Sequence, residues 1–392
     1  MRTIKRTGLL VLMLIFATSL LANLLYAEAV NPVKKMIAGG GRSLILLQDG
    51  TLVIRGGGFL EHYDKHGFGV LSNGNSNWKD ITASGSAIYG IKNDGTMWAS
   101  GFNDVGQLGT GDTDTGQKMR QIGKNKKWKI VTSEYAHAAA IAEDGSLWTW
   151  GLNGGGQIGD GTLTNRHVPT RVGTATDWIE VYTGTWNTVA VKRDGSVWAW
   201  GNTWASIINA EYATKGKKAV TKPLKIVDKL NYKKMSIGSQ DTMFIKKDGT
   251  LWGWGYDYKR SAYNLTRISN EKWKDVAVGS SEFGRPSYAI KEDGTLWTIT
   301  KQSMEKKQAG VTRSVLSGVQ IKSISTDHDW KALAEQPDSS NNMIFMKQNG
   351  KLYGLGFNSS GELDEPRANK PFKELSVIGE LTAINNYYIQ SK

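Results

Sequence analysis

Few residues of this chain could do chemistry, and each set carries its own geometric demand. The carboxylates Asp241, Glu282, Asp327 and Asp329 fall near equivalent places in different copies of a repeating sequence. Two of them held about 5–10 Å apart across a glycosidic bond would serve as acid and base, the chemistry of a carbohydrate-active enzyme. As solvated loop residues they would do none of this, and that is the expectation for them. Asp112-Thr-Asp114-Thr-Gly116 has the opening of a calcium loop but lacks the bidentate glutamate that such a loop needs. Gly39-Gly40-Gly41, Gly56-Gly57-Gly58 and Gly154-Gly155-Gly156 could pass for phosphate cradles. A cradle sits where a strand feeds a helix N-terminus, whereas these runs are flanked by strand signals and read as tight turns. With no cysteine, disulfides, thiolate metal sites and cysteine nucleophiles are excluded, and His62, His66, His137, His167 and His328 lack metal-ligand spacing. Hence no catalytic residue, cofactor or metal is expected, and the chain is read as a non-enzyme.

The elements around these residues come from a repeat. Asp49-Gly, Asp94-Gly, Asp144-Gly, Asp194-Gly, Asp248-Gly, Asp293-Gly and Asn349-Gly are seven copies of one phrase, spaced by 45, 50, 50, 54, 45 and 56 residues. Most continue as in Leu147-Trp148-Thr149-Trp150-Gly151. A second phrase precedes them: Trp78-Lys-Asp-Ile81, Trp128-Lys-Ile-Val131, Trp178-Ile-Glu-Val181, Tyr232-Lys-Lys-Met235 and Trp273-Lys-Asp-Val276. Val33–Met36, Ile321–Ile324 and Phe372–Leu375 are weaker copies. Asp-Gly between apolar runs is a hairpin signal, because glycine accepts the positive φ of such turns. Beyond it Trp148 and Trp150 share one face and Leu147 and Thr149 the other, the period of a strand. Each indole can bury about 150–250 Å², so Trp148, Trp198 and Trp252 are expected between neighbouring sheets. A unit of about 50 residues with several short strands matches a propeller blade. The reading is all-β: a seven-bladed β-propeller over residues 30–392, with the Asp-Gly turns on one side of the ring and the partial repeat at 372–392 overlapping the start to close it.

Two loops carry a family resemblance. Gly101-Phe-Asn103-Asp-Val-Gly106-Gln-Leu-Gly109-Thr-Gly111 and Gly151-Leu-Asn153-Gly-Gly-Gly156-Gln-Ile-Gly159-Asp-Gly161 resemble the regulator of chromosome condensation repeat, and His137 stands where that family often has histidine. The resemblance implies seven blades over residues 33 to about 390. Blades lacking the phrase, at Asn202–Lys218 and Tyr256–Tyr263, should have irregular loops. Nuclear members act as exchange factors for a small GTPase, a role that export would remove. In organisation the chain is similar to secreted propeller-type β-lactamase inhibitory proteins, which bind an enzyme through aromatic-rich loops on one face of the ring.

Of the 15 tryptophans, twelve fall in the two repeated phrases and Trp186, Trp204 and Trp330 do not. Trp186 sits in a short turn whose counterparts are Gly41, Ser86, Ala136 and Gln240. Tyr135 shares that turn one repeat earlier, Phe283 falls in the corresponding insertion, and Asp329 and Trp330 follow the next counterpart. Aromatics that the repeat does not require, gathered at one turn, point to a partner-binding rim. The expected site is Tyr135, Trp186, Phe283, Asp329 and Trp330.

The N-terminus reads as a signal peptide over residues 1–29. Arg2, Lys5 and Arg6 precede the apolar run Leu9–Leu21, and Ala27-Glu28-Ala29 fits a cleavage site. Its removal takes the formal charge from +13 to +11. A secreted, basic, monomeric propeller is expected, retained at the cell surface or free outside it. Its expected partner is an extracellular protein, with an anionic cell-wall polymer as second choice and nucleic acid excluded by location. An enzyme inhibitor of the β-lactamase-binding kind is one specific version.

Overall fold

The computed structural model describes residues 33–39, 42–56, 68–70, 77–85, 87–202, 207–208, 219–238, 241–257, 262–279, 286–308, 311–335, 342–358 and 368–380. These form seven four-stranded antiparallel sheets, each built from one continuous stretch of chain, and no helix occurs among the described residues. Blade 3 serves as the pattern: Trp128–Glu134, His137–Ala142, Leu147–Gly151 and Arg166–Arg171, counted outward from the ring centre. Its Asp-Gly turn is closed by Asp144, whose Oδ1 accepts the Ser146 backbone N–H at 2.9 Å, while Gly145 takes φ 79°. Gly145 then accepts the Trp178 N–H of the next blade at 3.2 Å, and Gly50, Gly95, Gly249 and Gly294 receive Trp78, Trp128, Trp273 and Trp330 likewise. These turns therefore lie at the end of the ring where the chain passes from blade to blade.

Each leading strand carries a β-bulge beside its first residue, which is Val33 in blade 1 and aromatic in the other six, as between Trp78 and Asp80, Trp178 and Glu180, and Trp330 and Ala332. In blade 3, Trp128 pairs with Ala142 while Ile130 pairs with Ile141. Trp128 and Val131 are three residues apart and would otherwise face opposite ways; the extra residue puts both on one face. That face, with Ala138, Ala140 and Trp150, packs against Tyr89, Ile91 and Met97 of blade 2. The opposite face, with Ala139, Ile141 and Leu147, packs against Trp178 and Trp200 of blade 4. Gly90 stands where blade 3 has Ala140, because the Trp78 ring lies 2.4 Å from where its Cβ would be.

The two indoles of the Asp-Gly strand differ in depth, which corrects the expectation for Trp148, Trp198 and Trp252. Those three are half-buried, with Lys126 and Lys246 ammonium groups over Trp148 and Trp252 at 4.2 and 3.6 Å. It is Trp150 and Trp200, two residues further on, that are fully buried. Each donates its indole N–H to the preceding blade, to the carbonyls of Gln107 (2.8 Å) and Gln157 (2.9 Å). Asn103 and Asn153 fold those loops by accepting the Leu108 and Ile158 N–H groups at 2.9 Å. The Gly-Gln-Leu-Gly phrase thus lays a carbonyl on the next blade's tryptophan. Blade 4 lacks the phrase but still buries Ile207 and Ile208 against its neighbours.

Blade 7 departs from the expected register. Its leading strand is Trp330–Leu333, so Trp330-Lys-Ala-Leu333 is the seventh copy of the leading phrase. Ile321–Ile324 instead ends the outer strand of blade 6, Val311–Ser323, and Phe372–Leu375 lies in the outer strand of blade 7, Ala368–Glu380. The ring closes by packing Met343 and Phe345 on Ile45, Leu47 and Val53 of blade 1. Two hydrogen bonds add to this, Ala38 N–H to Glu335 (2.9 Å) and Glu335 N–H to Met36 (2.8 Å). Among the described residues, no strand from one end of the chain joins the other end's sheet. Residues 1–32, which include the expected signal segment, and residues 381–392 lie outside the described residues.

Candidate binding rim

At the end of the ring opposite the Asp-Gly turns, the first two strands of blades 3 and 4 are joined by two-residue loops, Tyr135-Ala136 and Thr185-Trp186. Tyr135 is 53% exposed and Trp186 39%. Their rings, one repeat apart in sequence, lie 6.0 Å between centroids at a 39° tilt. Tyr135 has φ 50° and is the one non-glycine residue with positive φ among the described residues. For an L-residue this conformation costs roughly 1–2 kcal/mol, and such strain concentrates at functional sites. Trp186 is seated over Gly155, where a side chain would meet its ring at 3.5 Å, and its carbonyl accepts the Asn202 N–H at 2.8 Å.

Beneath the pair, blades 3 and 4 are joined by polar contacts one repeat apart. Thr185 Oγ1 donates to Glu134 Oε1 at 2.9 Å, Thr132 and Thr183 hydroxyls meet at 3.1 Å, and His137 Nε2 meets Thr188 Oγ1 at 3.1 Å. Thr188 Oγ1 in turn donates to the Gln157 carbonyl at 2.8 Å. Burial holds the His137 pKa down to about 3, so the imidazole is neutral at physiological pH. The result is a rigid polar floor carrying two exposed aromatic rings, which suits recognition of another surface.

Residues 144–191 match the sequence model of the Regulator of chromosome condensation (RCC1) repeat. Among solved structures, Prp20p from Saccharomyces cerevisiae is 18% identical with a TM-score of 0.60, covering 79% of this chain and 78% of that one. Yeast RCC1 (Prp20) bound to Kap60 is 17% identical with a TM-score of 0.61, covering 80% and 78%. Human WBSCR16 is 13% identical with a TM-score of 0.51, covering 89% and 82%. A search of curated proteins found no match. This chain is a β-propeller that carries a regulator of chromosome condensation repeat at residues 144–191.

Within that repeat frame the expected site residues separate. Tyr135 and Trp186 come together on the rim. Trp330 is fully buried, edge-on to Phe345 and Tyr353 with centroids at 6.0 and 5.0 Å, and so is corrected from rim to core. Asp329 is corrected with it: directly before the leading strand, it lies at the Asp-Gly end, where its carbonyl accepts the Gln348 N–H at 2.8 Å. Asp329 and Asp327 both bind Lys347, at 2.9 and 2.8 Å, and Lys347 and a Ser325 hydrogen bond hold the Asp327 pKa below the usual carboxylate range. Asp241 is buried. Phe283, Glu282 and Trp204 lie outside the described residues. Asp112, from the calcium-like phrase, is committed to Arg120 and to the Asn103 amide.

The leading strands line a central cavity of about 180 Å³. Its charged groups tie blades together: Lys35 bridges Asp80 (3.0 Å) and Glu335 (3.2 Å), and Asp275 accepts the Leu333 N–H at 2.8 Å. Glu180 accepts both the Tyr182 and Tyr232 hydroxyls, and burial together with that carboxylate drives both tyrosine pKa values up. These groups hold the ring rather than offering a free acid and base. Sequence reasoning also missed Phe102 and Leu163, both 54% exposed in the loops of blades 2 and 3 at the rim end. Phe102 could have been noticed because it follows Gly101 where Asn202 follows Gly201.

Proposed function

We propose that this chain is an extracellular protein-binding propeller whose contact surface centres on Tyr135 and Trp186. The exposed pair carries the reading: two large rings that the blades do not need for packing, one of them held in a strained conformation above a rigid polar floor. Prp20p, a propeller of the same architecture, binds Gsp1p and histones, which supports a protein partner for this ring without naming it. The leader-like segment supports export, and inhibition of an extracellular enzyme such as a β-lactamase is the specific version proposed. Affinity capture from native extracellular material, comparing the intact chain with Tyr135→Ala/Trp186→Ala, tests the reading. Selective loss of one co-purifying protein from the double variant is expected, since each such aromatic is worth about 2 kcal/mol or more at an interface. Equal capture by both proteins would refute the rim, and detection of the mature chain only inside the cell would refute the location.

A further inference from the structure

The outer strands of blades 1–6 are Phe68–Val70, Gly116–Ile122, Arg166–Arg171, Ala219–Val227, Ala262–Ser269 and Val311–Ser323. Together they contain nine lysines and arginines and no aspartate or glutamate. The outer strand of blade 7, Ala368–Glu380, differs in carrying Glu374 and Glu380 beside Lys370 and Lys373. Three of the bases occupy one register: Arg171 opposite Trp148, Lys225 opposite Trp198 and Arg267 opposite Trp252, on three consecutive blades. All three are exposed, as are Lys118, Lys222 and Lys322. Lys225 meets Asp228 at 2.7 Å, but with side chains 48% and 88% exposed that pair is screened and weak. Among the described residues, Lys118, Lys222, Arg267 and Lys322 form no salt bridge, and Arg171 forms none either, although it lies close enough to Asp144 to help lower that carboxyl's pKa. Arg120 and Arg166 are different, since they close their own loops on Asp112 and Asp160.

We infer that this outer wall binds a flexible linear polyanion, a polyol-phosphate polymer wound along consecutive blades. Charge complementarity carries the inference: single-sign charge, repeated on the outer strands of the five consecutive blades 2–6, matches a chain with phosphates at regular intervals. A compact acidic protein would meet only the two or three blades facing it. A nucleic-acid duplex, with a persistence length of about 50 nm, is too stiff to follow the wall of so small a ring. The choice of a polyol phosphate over a single-stranded nucleic acid rests on the extracellular reading. The binding itself does not depend on it, nor on the aromatic rim. Lysine on a sheet edge also discourages edge-to-edge aggregation, and the experiment separates that role from binding.

The test measures binding of poly(glycerol phosphate) to the full chain across a salt series. Three variants accompany it: Arg171→Gln/Lys225→Gln/Arg267→Gln, the charge-matched control Lys129→Gln/Lys247→Gln/Lys331→Gln, and Tyr135→Ala/Trp186→Ala. The first should stay folded, lose about tenfold or more in affinity at low salt, and show a salt slope shallower by about 2. The control and the rim variant should bind nearly as the intact chain does. A 30-base-pair duplex should bind more weakly than the polymer at equal phosphate concentration. Any of three results would overturn the inference: no binding by the intact chain, equal losses in the outer-wall and control variants, or duplex binding as tight as polymer binding. An outer-wall variant that merely aggregates more while binding unchanged would leave the bases as edge guards and equally overturn it.

Discussion

Trp186 and Trp330 look alike in sequence, each a tryptophan outside the expected phrases, yet the fold gives them opposite roles. Trp330 opens a leading strand, where the bulge turns it onto the face shared with Leu333 and packs it against Phe345 and Tyr353. Trp186 occupies the second place of a two-residue loop, where blade 3 covers it only in part through Gly155 and the Tyr135 ring, and it stays exposed. The floors beneath them differ too, apolar under Trp330 and hydrogen-bonded under Trp186. What separates them is position in the blade: the same side chain is core at the bulge and surface at the turn.

The largest effect expected from this contrast is in stability. Trp330→Ala should destabilise the propeller by about 3–5 kcal/mol through lost transfer energy and a cavity. Trp186→Ala should change it by about 0.5 kcal/mol or less, as surface substitutions usually do. Chemical denaturation of both variants checks this, and equal losses would erase the distinction.

The second effect is pH dependence confined to the polar floor. His137 has a folded pKa of about 3, below its ordinary 6.5, so the unfolded chain binds the extra proton. Stability from this group is complete above pH 6.5 and falls as pH drops toward 3, by about 2 kcal/mol between pH 6.5 and 5. His137→Gln should flatten that slope, and an unchanged slope would show that the imidazole is not held neutral.

A smaller effect tests the carbonyl-to-indole joint between blades 2 and 3. Trp150→Phe removes the donor to Gln107 and some buried volume, and should lower stability by about 1–3 kcal/mol. Trp148→Phe, at a half-buried position, should cost clearly less. A reversed order would show that the depths of the two indoles have been misassigned.

Much of the ring was legible because its signals are local. Asp-Gly turns, strand alternation and the Gly-Gln-Leu-Gly phrase each act within a dozen residues, so seven copies announce seven blades. Tyr135 and Trp186 were found by subtracting the indoles that the repeat requires. The same subtraction failed at Trp330, where 19 residues rather than 16 separate the leading phrase from Asn349-Gly350. That longer spacing hid a true copy behind the weaker Ile321–Ile324 and carried Asp329 to the wrong end. Alternation placed Trp148 and Trp150 on one face but could not say which lies deeper, because depth depends on the neighbouring blade's loop. The basic outer wall follows no motif and emerges only once register shows Arg171, Lys225 and Arg267 to be equivalent.

The most direct test of the rim uses the strain at Tyr135. Glycine accepts φ 50° without the steric penalty that tyrosine bears there. Tyr135→Gly, measured by denaturation and by capture of the extracellular partner, should therefore be as stable as the intact chain, or more stable by about 0.5–1 kcal/mol, less whatever glycine adds to unfolded-chain entropy. Its capture should be at least about tenfold weaker. A variant that holds its stability and loses its partner would show that the strained tyrosine is there for binding. A variant that unfolds, or that captures at full strength, would contradict the account.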